Sequence, residues 1–356
     1  VVHGQPNIYA LFMAISASLL KDGGKLIFIV PRSFAAGPYF RLFREHFFTL
    51  MRPRAVHLFG SRREAFGRDE ILQENIILLA SRADGWAISP SAEKVEVSFS
   101  EGVRDLLARR TVQLPISEVL DVRSKDKVLR IPVLDEDGAA SRAVRAWDGS
   151  LRAYGMDIST GPVVPFRAVP ILSESGRVPE THAPLLWMQN VTPMRVEWPA
   201  SAKGKEQYIK IDERSIPLLV PNRNYVLLRR FSAKEARRRL VAAPLLAGDL
   251  KSPLVGLENH LNYVHRRGDS LSEEEAYGLA ALFNSTTLDT YFRTFNGNTQ
   301  VSATEVRSMP LPPLRVIKEI GRRAKPFGQD AEKVDTVVAS LLGINSRRTT
   351  VETTDV

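Results

Sequence analysis

Residues 7–34 constrain the fold more than any other stretch, because a helical pattern, a Gly-Gly turn and an apolar run follow one another there. The helix is predicted from apolar residues at helical spacing, which would give it one buried stripe: Ile8, Leu11, Phe12, Ile15, Leu19 and Leu20. Gly23 and Gly24 end that helix, and the apolar run at 26–30 suits a strand covered on both faces, as in a parallel sheet. This order predicts one unit of a doubly wound α/β sheet, whose ligands bind beyond the carboxyl ends of its strands.

The composition favours a protein with two domains and a polyanionic partner. The 356 residues are enough for two cores, and 49 Lys and Arg residues against 40 Asp and Glu residues give a net charge of +9. The absence of cysteine excludes disulfides and thiolate metal sites, and we expect a reducing, cytoplasmic location. No apolar run approaches the roughly 20 residues that cross a bilayer, so we expect no membrane partner.

The first part of the chain continues the α/β pattern. We predict a second helix at 39–49, with Arg44 on its polar face, and strands at 55–59 and 75–80 that form the antiparallel end of a mixed sheet. An alternating pattern at 93–99 predicts an edge strand, and 103–110 is predicted to form a short helix.

From residue 131 onward prolines are frequent, which favours short strands and ordered loops in a second domain. Capping-box patterns predict helices at 232–240 and 272–284, and a last helix at 332–342 precedes a tail that we expect to be disordered. Because the chain begins at Val1, directly before a core helix, we also expect it to be a fragment. The predicted domain boundaries are 1–130, 131–315 and 316–356.

Phe66 lies in a strongly charged loop at 62–69. One interpretation is that the ring anchors the loop on the core. The other is that the ring stacks on a nucleobase while the neighbouring arginines hold phosphates.

A basic segment at 222–239 is a candidate for phosphate contact. Seven Lys and Arg residues stand against one Glu there, with Tyr225 and Phe231 between them. A solvated helix face and a DNA-binding surface both fit this pattern, and the aromatic residues favour DNA. The basic residues are Arg223, Arg229, Arg230, Lys234, Arg237, Arg238 and Arg239.

Two further segments are rich in amide side chains, which suit plain turns and can also pair with adenine. The candidates are Asn259, His260, Asn262, Tyr263, Asn296, Asn298, Thr299 and Gln300. His260 and His265 have no third ligand at a recognisable spacing, so we predict no metal site.

These segments resemble the adenine-specific DNA methyltransferases of the PstI and BsuBI type, which are relatives of the TaqI-type enzymes. The resemblance runs from VVHGQPNIYALF and GGKLIFIVPRSFAAGPYFRLFR to ENHLNYVHRRG and NSTTLDTYFRTFNGNTQVSATEVRSMPLP. It implies a Rossmann-like domain that binds S-adenosylmethionine, followed by an α+β domain that recognises a site in double-stranded DNA. In that family a methyl group passes to the exocyclic amine of an extruded adenine.

The resemblance also implies roles for single residues. Phe12 matches an aromatic residue that packs near the adenine of the cofactor, and Phe66 matches the one that stacks on the extruded base. The amide-rich segments at 259–263 and 296–300 match the recognition domain. Implied partners are DNA, a missing amino-terminal segment or subunit, and a restriction endonuclease acting on the same site.

One departure from the family pattern limits what this chain does alone. The glycine-rich cofactor loop and the catalytic Asn-Pro-Pro-Tyr motif do not occur, and the one Pro-Pro pair is Pro312-Pro313. The motif orients the target amine, so we expect no catalytic residue in this chain and an incomplete cofactor site. We expect the carboxy-terminal part of a methyltransferase, inactive alone. The alternatives are a non-catalytic DNA-recognition module and an α/β enzyme with a different substrate.

Overall fold

The chain forms two compact units, each with its own β-structure. A computed structural model describes residues 7–61, 74–86, 94–133, 135–200, 205–233 and 235–344. Unit 1 comprises Val1–Arg145, Ala233–Arg239 and Thr290–Ser308, and unit 2 comprises Ala146–Ser232, Leu240–Asp289 and Met309–Val356. These units differ from the predicted domains, because two later stretches belong to unit 1 and the terminal helices belong to unit 2.

Unit 1 is built on a five-stranded mixed sheet of order β1-β3-β2-β4-β5. β2 and β4 run parallel, and the other neighbours run antiparallel. The strands are β1 (Lys25–Pro31), β2 (Met51–Phe59), β3 (Asn75–Arg82), β4 (Lys94–Ser100) and β5 (Arg110–Pro115). The helices are α1 (Ile8–Leu19), α2 (Arg41–Leu50), α3 (Ile116–Val119), α4 (Asp135–Arg145) and α8 (Ala303–Ser308).

β1 differs from its prediction. Among the described residues it pairs only with β3, antiparallel, and it lies at the end of the sheet. Leu26 and Val30 are buried, whereas Ile27 is 69% exposed and Ile29 is 48% exposed. The prediction of a strand covered on both faces is therefore wrong for the described residues, because nothing in them covers the outer face of β1.

The core of unit 1 is rich in aromatic side chains that lie between α2 and the sheet. Phe34, Phe43, Phe47 and Phe48 are at most 1% exposed, and the rings of Phe43 and Phe47 stack with centroids 5.4 Å apart. The predicted second helix is thus confirmed as α2. Its Arg44 is 1% exposed, so the prediction that it lies on the polar face is wrong.

The antiparallel pairing of the strands predicted at 55–59 and 75–80 is confirmed by β2 and β3. One other prediction in this unit is wrong, because the strand predicted at the edge, β4, lies between β2 and β5. The short helix predicted at 103–110 is present only in part, as a 3-10 helix at Leu106–Ala108, and β5 begins at Arg110.

Unit 2 has the short strands that its prolines predict. One sheet has the order β12-β15-β8-β11-β7, a second has the order β14-β13-β16-β6, and β10 pairs with β9. The strands are β6 (Met156–Thr160), β7 (Leu172–Ser173), β8 (His182–Leu186), β9 (Val191–Thr192), β10 (Arg195–Val196), β11 (Tyr208–Lys210), β12 (Leu219–Pro221), β13 (Tyr225–Arg229), β14 (Ala242–Leu245), β15 (Leu254–Leu257) and β16 (Leu261–Arg266).

The remaining helices are α5 (Pro165–Ala168), α6 (Glu273–Phe283), α7 (Thr286–Phe295), α9 (Leu314–Ala324) and α10 (Ala331–Leu342). The predicted capping box at α6 is confirmed, because Glu275 N donates to Ser272 Oγ at 3.2 Å and Ser272 N donates to Glu275 Oε2 at 2.9 Å. The last helix is confirmed as α10. The helix predicted at 232–240 is wrong, since the described residues of that segment form turns and irregular structure.

Candidate functional site

Phe12 belongs to an exposed apolar stripe on α1, which we call the α1 stripe. The prediction that this stripe is buried is therefore wrong for the described residues, because another side of the helix packs into the core. Phe12 is 61% exposed, and the other members are Ile8, Ile15 and Leu19, exposed by 70%, 57% and 80%. The opposite side of the helix buries small residues and Met13 in the core. The α1 stripe therefore leaves Phe12 available to a ligand or to another polypeptide segment.

Arg32 follows directly after β1, at its carboxyl end, and is buried. Its Nη1 lies 3.1 Å from Glu74 Oε2, and both side chains are 3% exposed. Its Nη2 donates to the carbonyl oxygens of Arg293 and Thr294 at 2.8 and 2.7 Å. Arg32 thus ties the loop after β1 to the last turn of α7 within unit 1.

The second amide-rich segment lies in unit 1 and is anchored by buried side chains. Asn296 is 2% exposed, and its Nδ2 donates to Glu305 Oε2 at 3.0 Å and to the Gln300 carbonyl at 3.1 Å. Its Oδ1 accepts a hydrogen bond from Nη2 of Arg239 at 2.9 Å. Asn298 and Thr299 are exposed, and Gln300 is half-buried.

Burial also sets the electrostatics beneath this segment. It raises the pKa of Glu305 above its usual range, although hydrogen bonds from Ser302 and Asn296 and the charges of Arg239 and Arg44 act in the opposite direction. Burial lowers the pKa of Arg44 to about 10. The positive charges of Arg239 and Arg44 offset part of the free-energy cost of burying the Glu305 carboxylate.

The basic segment and the first amide-rich segment come together in unit 2, because β13 pairs with β16. Arg230 N donates to the His260 carbonyl at 2.9 Å, and Arg230 Nη1 donates to the Asn259 carbonyl at 2.9 Å. The rings of Phe231 and His260 meet edge to face with centroids 5.0 Å apart. Arg230, Asn259 and His260, which are separated in sequence, therefore form one surface cluster.

The other two arginines proposed to contact DNA also bind main-chain carbonyls. Arg229 Nε donates to the Val191 carbonyl at 2.6 Å, and burial lowers its pKa. Arg223 Nη1 donates to the Asp269 carbonyl at 3.1 Å. Both residues are half-buried.

His260 stands beside a buried carboxylate. Its Nδ1 lies 2.8 Å from Oε1 of Glu258, whose side chain is 0% exposed while that of His260 is 50% exposed. Glu258 Oε2 accepts a hydrogen bond from His260 N at 3.0 Å. Burial raises the pKa of Glu258, although the backbone bond and the charge of His260 act in the opposite direction.

Two further candidates, Asn262 and Tyr263, lie inside unit 2. Asn262 is 0% exposed, and its Oδ1 accepts a hydrogen bond from Thr160 Oγ1 at 2.9 Å. Tyr263 packs against Tyr225 with ring centroids 5.5 Å apart, and burial raises its pKa. The side chain of Asn262 is therefore not accessible to a base edge in this structure. Phe66 and Lys234 lie outside the described residues.

Three buried charged residues of unit 1 are not among the site residues that the sequence predicts. Arg44 shares a helix face with the buried phenylalanines, and that spacing is the signal that could have identified it. Glu305 completes a Ser-x-x-Glu pattern with Ser302, whose N–H lies 3.3 Å from Glu305 Oε2. Arg32 has no local signal beyond its position at the carboxyl end of an apolar run.

No three His, Asp or Glu side chains of the described ranges are grouped closely enough to hold a metal ion. His265 Nε2 instead lies 2.9 Å from Ser159 Oγ. In the same ranges, no helix has both the length and the apolar character needed to cross a membrane.

Comparisons with known proteins agree with the sequence resemblance. Residues 1–66 match the family model for Eco57I restriction-modification methylase. The chain is 36% identical over 316 residues to Type II methyltransferase M.BsuBI of Bacillus subtilis, covering 89% of this chain and 61% of that protein. It is 32% identical over 333 residues to Type II methyltransferase M.PstI of Providencia stuartii, covering 93% of this chain and 64% of that protein.

Solved structures give weaker likenesses. The type IIG restriction endonuclease BpuSI matches with a TM-score of 0.37 and 14% identity, over 96% of this chain and 49% of that one. The Type IIL restriction-modification enzyme MmeI in complex with DNA matches with a TM-score of 0.46 and 11% identity, over the same shares. The chain is therefore similar in sequence to the Type II methyltransferases M.BsuBI and M.PstI, and it spans 61% and 64% of their lengths.

Proposed function

We propose that this chain is the carboxy-terminal part of a site-specific DNA adenine-N6 methyltransferase that uses S-adenosylmethionine. The observation that carries this proposal is the 36% identity to M.BsuBI over 316 residues. In this proposal unit 1 belongs to the Rossmann-like methyltransferase domain, and unit 2 contains the DNA-recognition surface. A restriction endonuclease acting on the same site is the proposed partner activity.

The cofactor loop and the catalytic groups come, in this proposal, from a further polypeptide segment, joined to this chain or separate. The sequence contains no Asn-Pro-Pro-Tyr motif. Two exposed apolar surfaces support the need for another segment: the α1 stripe and the outer face of β1. Apolar surface at the end of a sheet suits pairing with a further strand and packing against further helices. Phe12 would then pack near the adenine of S-adenosylmethionine, and the cofactor would supply the methyl cation.

The residues of this chain position DNA. Arg223, Arg229 and Arg230 would hold phosphates, while Asn259 and His260 would face the groove. None of these five residues is fully buried, and Arg230, Asn259 and His260 form one cluster. Phe66 would stack on the extruded adenine, which separates the base from the duplex while the amine reacts.

The direct test is the coding sequence upstream of Val1 together with an activity assay. A glycine-rich loop followed by Asn-Pro-Pro-Tyr upstream, or in a partner chain, supports the methyltransferase. Cells that express both parts should then carry N6-methyladenine at one sequence, detected by single-molecule sequencing of their DNA. The chain alone should bind duplex DNA without transferring methyl groups from labelled S-adenosylmethionine.

A non-catalytic recognition module is the alternative, favoured by the absence of the catalytic motif. It would require a start codon at the beginning of this chain, no partner gene and no methylated adenine. If the chain alone transferred methyl groups, the proposal that the catalytic residues lie elsewhere would be refuted.

A further inference from the structure

The loop at 296–300, between α7 and α8, is supported by a buried polar cluster that the proposed reaction does not use. Arg239 and Asn296 are 2% exposed, and Glu305 is 5% exposed. Arg239 Nη2 donates to Asn296 Oδ1 at 2.9 Å and also to the Asn298 carbonyl. Glu305 Oε2 accepts from Asn296 Nδ2 at 3.0 Å. The Glu305 carboxylate therefore joins the first residue of the loop to α8, and the Arg239 guanidinium group joins the first residue to the third.

A second support lies at Gly297. A Cβ atom at this position would meet Arg32 Cδ at 2.9 Å and Glu74 Oε2 at 3.0 Å, so a larger residue would displace the buried ion pair. Arg32 also donates to the carbonyls of Arg293 and Thr294 in the last turn of α7. Gly297 thus lets the loop rest directly on the Arg32–Glu74 pair.

Burying these charged groups costs free energy, which suggests that the loop conformation they hold has a purpose. Buried charges destabilise a fold unless they are paired and hydrogen-bonded, and an ordinary five-residue surface loop needs none of them. Above the cluster, Asn298 and Thr299 are exposed. A loop held in one conformation loses little entropy when its tip binds, which is the usual advantage of preorganisation.

We propose that Arg239, Asn296 and Glu305 are positioning residues that hold the loop so that Asn298 and Thr299 contact duplex DNA from unit 1. The inference rests on the proposed function and deepens it. It assigns DNA contacts to the methyltransferase unit as well as to unit 2. The Asn298 amide and the Thr299 hydroxyl suit phosphate oxygens and base edges, and both are neutral.

Asn298 and Thr299 form the tip of the loop, and because both side chains are neutral, their effect on DNA binding should differ from that of a charged residue. The salt dependence of DNA binding scales with the number of Lys and Arg residues that neutralise phosphates. Loss of the tip should therefore lower affinity and leave the slope of log K against log salt unchanged. Arg239 should behave in the same way if it acts through the loop. If Arg239 touches a phosphate directly, its loss should reduce the slope by about one.

The experiment titrates the full chain into a fluorescein-labelled duplex of mixed sequence, about 30 base pairs long, from about 50 to about 300 mM NaCl. The variants are Asn298→Ala/Thr299→Ala, Arg239→Met and Arg239→Lys. Thr304→Ala, an exposed threonine on α8, is the matched control for the tip, and Arg230→Ala is the control for a phosphate contact. Hydrogen exchange of amides 297–300 reports the order of the loop.

We expect the tip variant to lose about tenfold in affinity with an unchanged slope. Arg239→Met should lose a similar factor, and amides 297–300 should exchange faster while those of β2 and β3 do not change. Arg239→Lys should recover part of the affinity. If Arg239→Met does not fold, the tip variant and Arg239→Lys still decide the question.

Three results would overturn the inference. The first is a tip variant that binds like the wild type while Arg230→Ala binds more weakly, which leaves the proposed function standing. The second is a slope reduced by about one in Arg239→Met but not in Arg239→Lys, which keeps the charge; that result makes Arg239 a phosphate contact. The third is a wild-type chain that binds no duplex at all, which rejects the proposed function together with the inference.

Discussion

At the scale of single residues, burial separates the candidate side chains into two groups. Asn262, Asn296 and Arg239 are at most 2% exposed and use their hydrogen-bonding groups within their own units. Asn298, Thr299 and His260 are exposed. An amide group satisfies a protein carbonyl as well as a base edge, so residue type alone does not separate these roles. The sequence could therefore identify the segments but not which amide within each segment remains accessible.

Glu258→Gln should change how the stability of unit 2 depends on pH. Burial raises the pKa of Glu258 from its ordinary value of 4.5. Between the ordinary and the raised value the folded state binds more protons than the unfolded state, so this group makes stability fall as pH rises through that interval. The variant lacks this contribution. The free energy of unfolding of the variant minus that of the wild type should therefore increase as pH rises from 4.5.

Urea unfolding of both proteins from about pH 4 to about pH 8 measures this difference. The exposed Glu213→Gln, in the same unit, is the control for the loss of a carboxylate. A difference between the Glu258→Gln variant and the wild type that stays constant with pH would contradict the prediction.

Phe12→Ala tests the exposed aromatic residue of the α1 stripe. Because Phe12 is 61% exposed, the substitution should change the free energy of unfolding by less than about 0.5 kcal/mol. In the completed enzyme it should weaken S-adenosylmethionine binding about tenfold, since a ring that packs on the cofactor is lost. Chemical denaturation and calorimetric titration with the cofactor measure the two effects. The buried Phe34→Ala is the control for lost packing, expected to cost about 3 to 5 kcal/mol.

At the scale of elements, the sequence correctly predicted helices whose sequence patterns lie within a few neighbouring residues. α2 and α6 follow from helical spacing and a capping box, and both are present. The segment at 232–240 carries the same Ser-x-x-Glu pattern but forms no helix among its described residues, because Arg239 and Leu240 make hydrogen bonds to residues far along the chain. β1 was predicted as a strand, but an apolar run does not reveal whether this chain covers both of its faces.

Gly278→Ala should destabilise unit 2 through the packing of α6 against α9. A Cβ atom at Gly278 would overlap the Ile317 carbonyl oxygen, and one at Gly321 would overlap the Glu274 carbonyl oxygen. Because both obstacles are backbone atoms, the helices would have to separate, at a cost of about 1 to 3 kcal/mol that exceeds the gain in helix propensity. Gly248→Ala is the control, because its Cβ would meet nothing within 4 Å. Equal free energies of unfolding for the two variants would refute this account.

At the scale of the whole molecule, the mixed sheet and the proline-rich unit followed from composition and strand patterns, whereas the division into units did not. Ala233–Arg239 and Thr290–Ser308 join unit 1 through buried side chains such as Arg239, whose partners lie far away in sequence. No periodicity encodes such pairings. The exposed apolar residues of α1 and β1 could not be predicted either, since their spacing is that of core residues and only the structure shows them exposed.

Ile27→Lys should reduce self-association of the isolated chain without destabilising it. Ile27 is 69% exposed on the outer face of β1, and an apolar strand at the end of a sheet is an aggregation-prone surface. A lysine there should leave the free energy of unfolding within about 0.5 kcal/mol and shift sedimentation of the chain toward the monomer. Val30→Lys, on the buried face of the same strand, should instead unfold unit 1. If a further segment covers this face in the complete enzyme, Ile27→Lys should also weaken its assembly with this chain, measured by co-sedimentation. A variant that self-associates like the wild type and assembles normally would show that this face of β1 is not a contact surface.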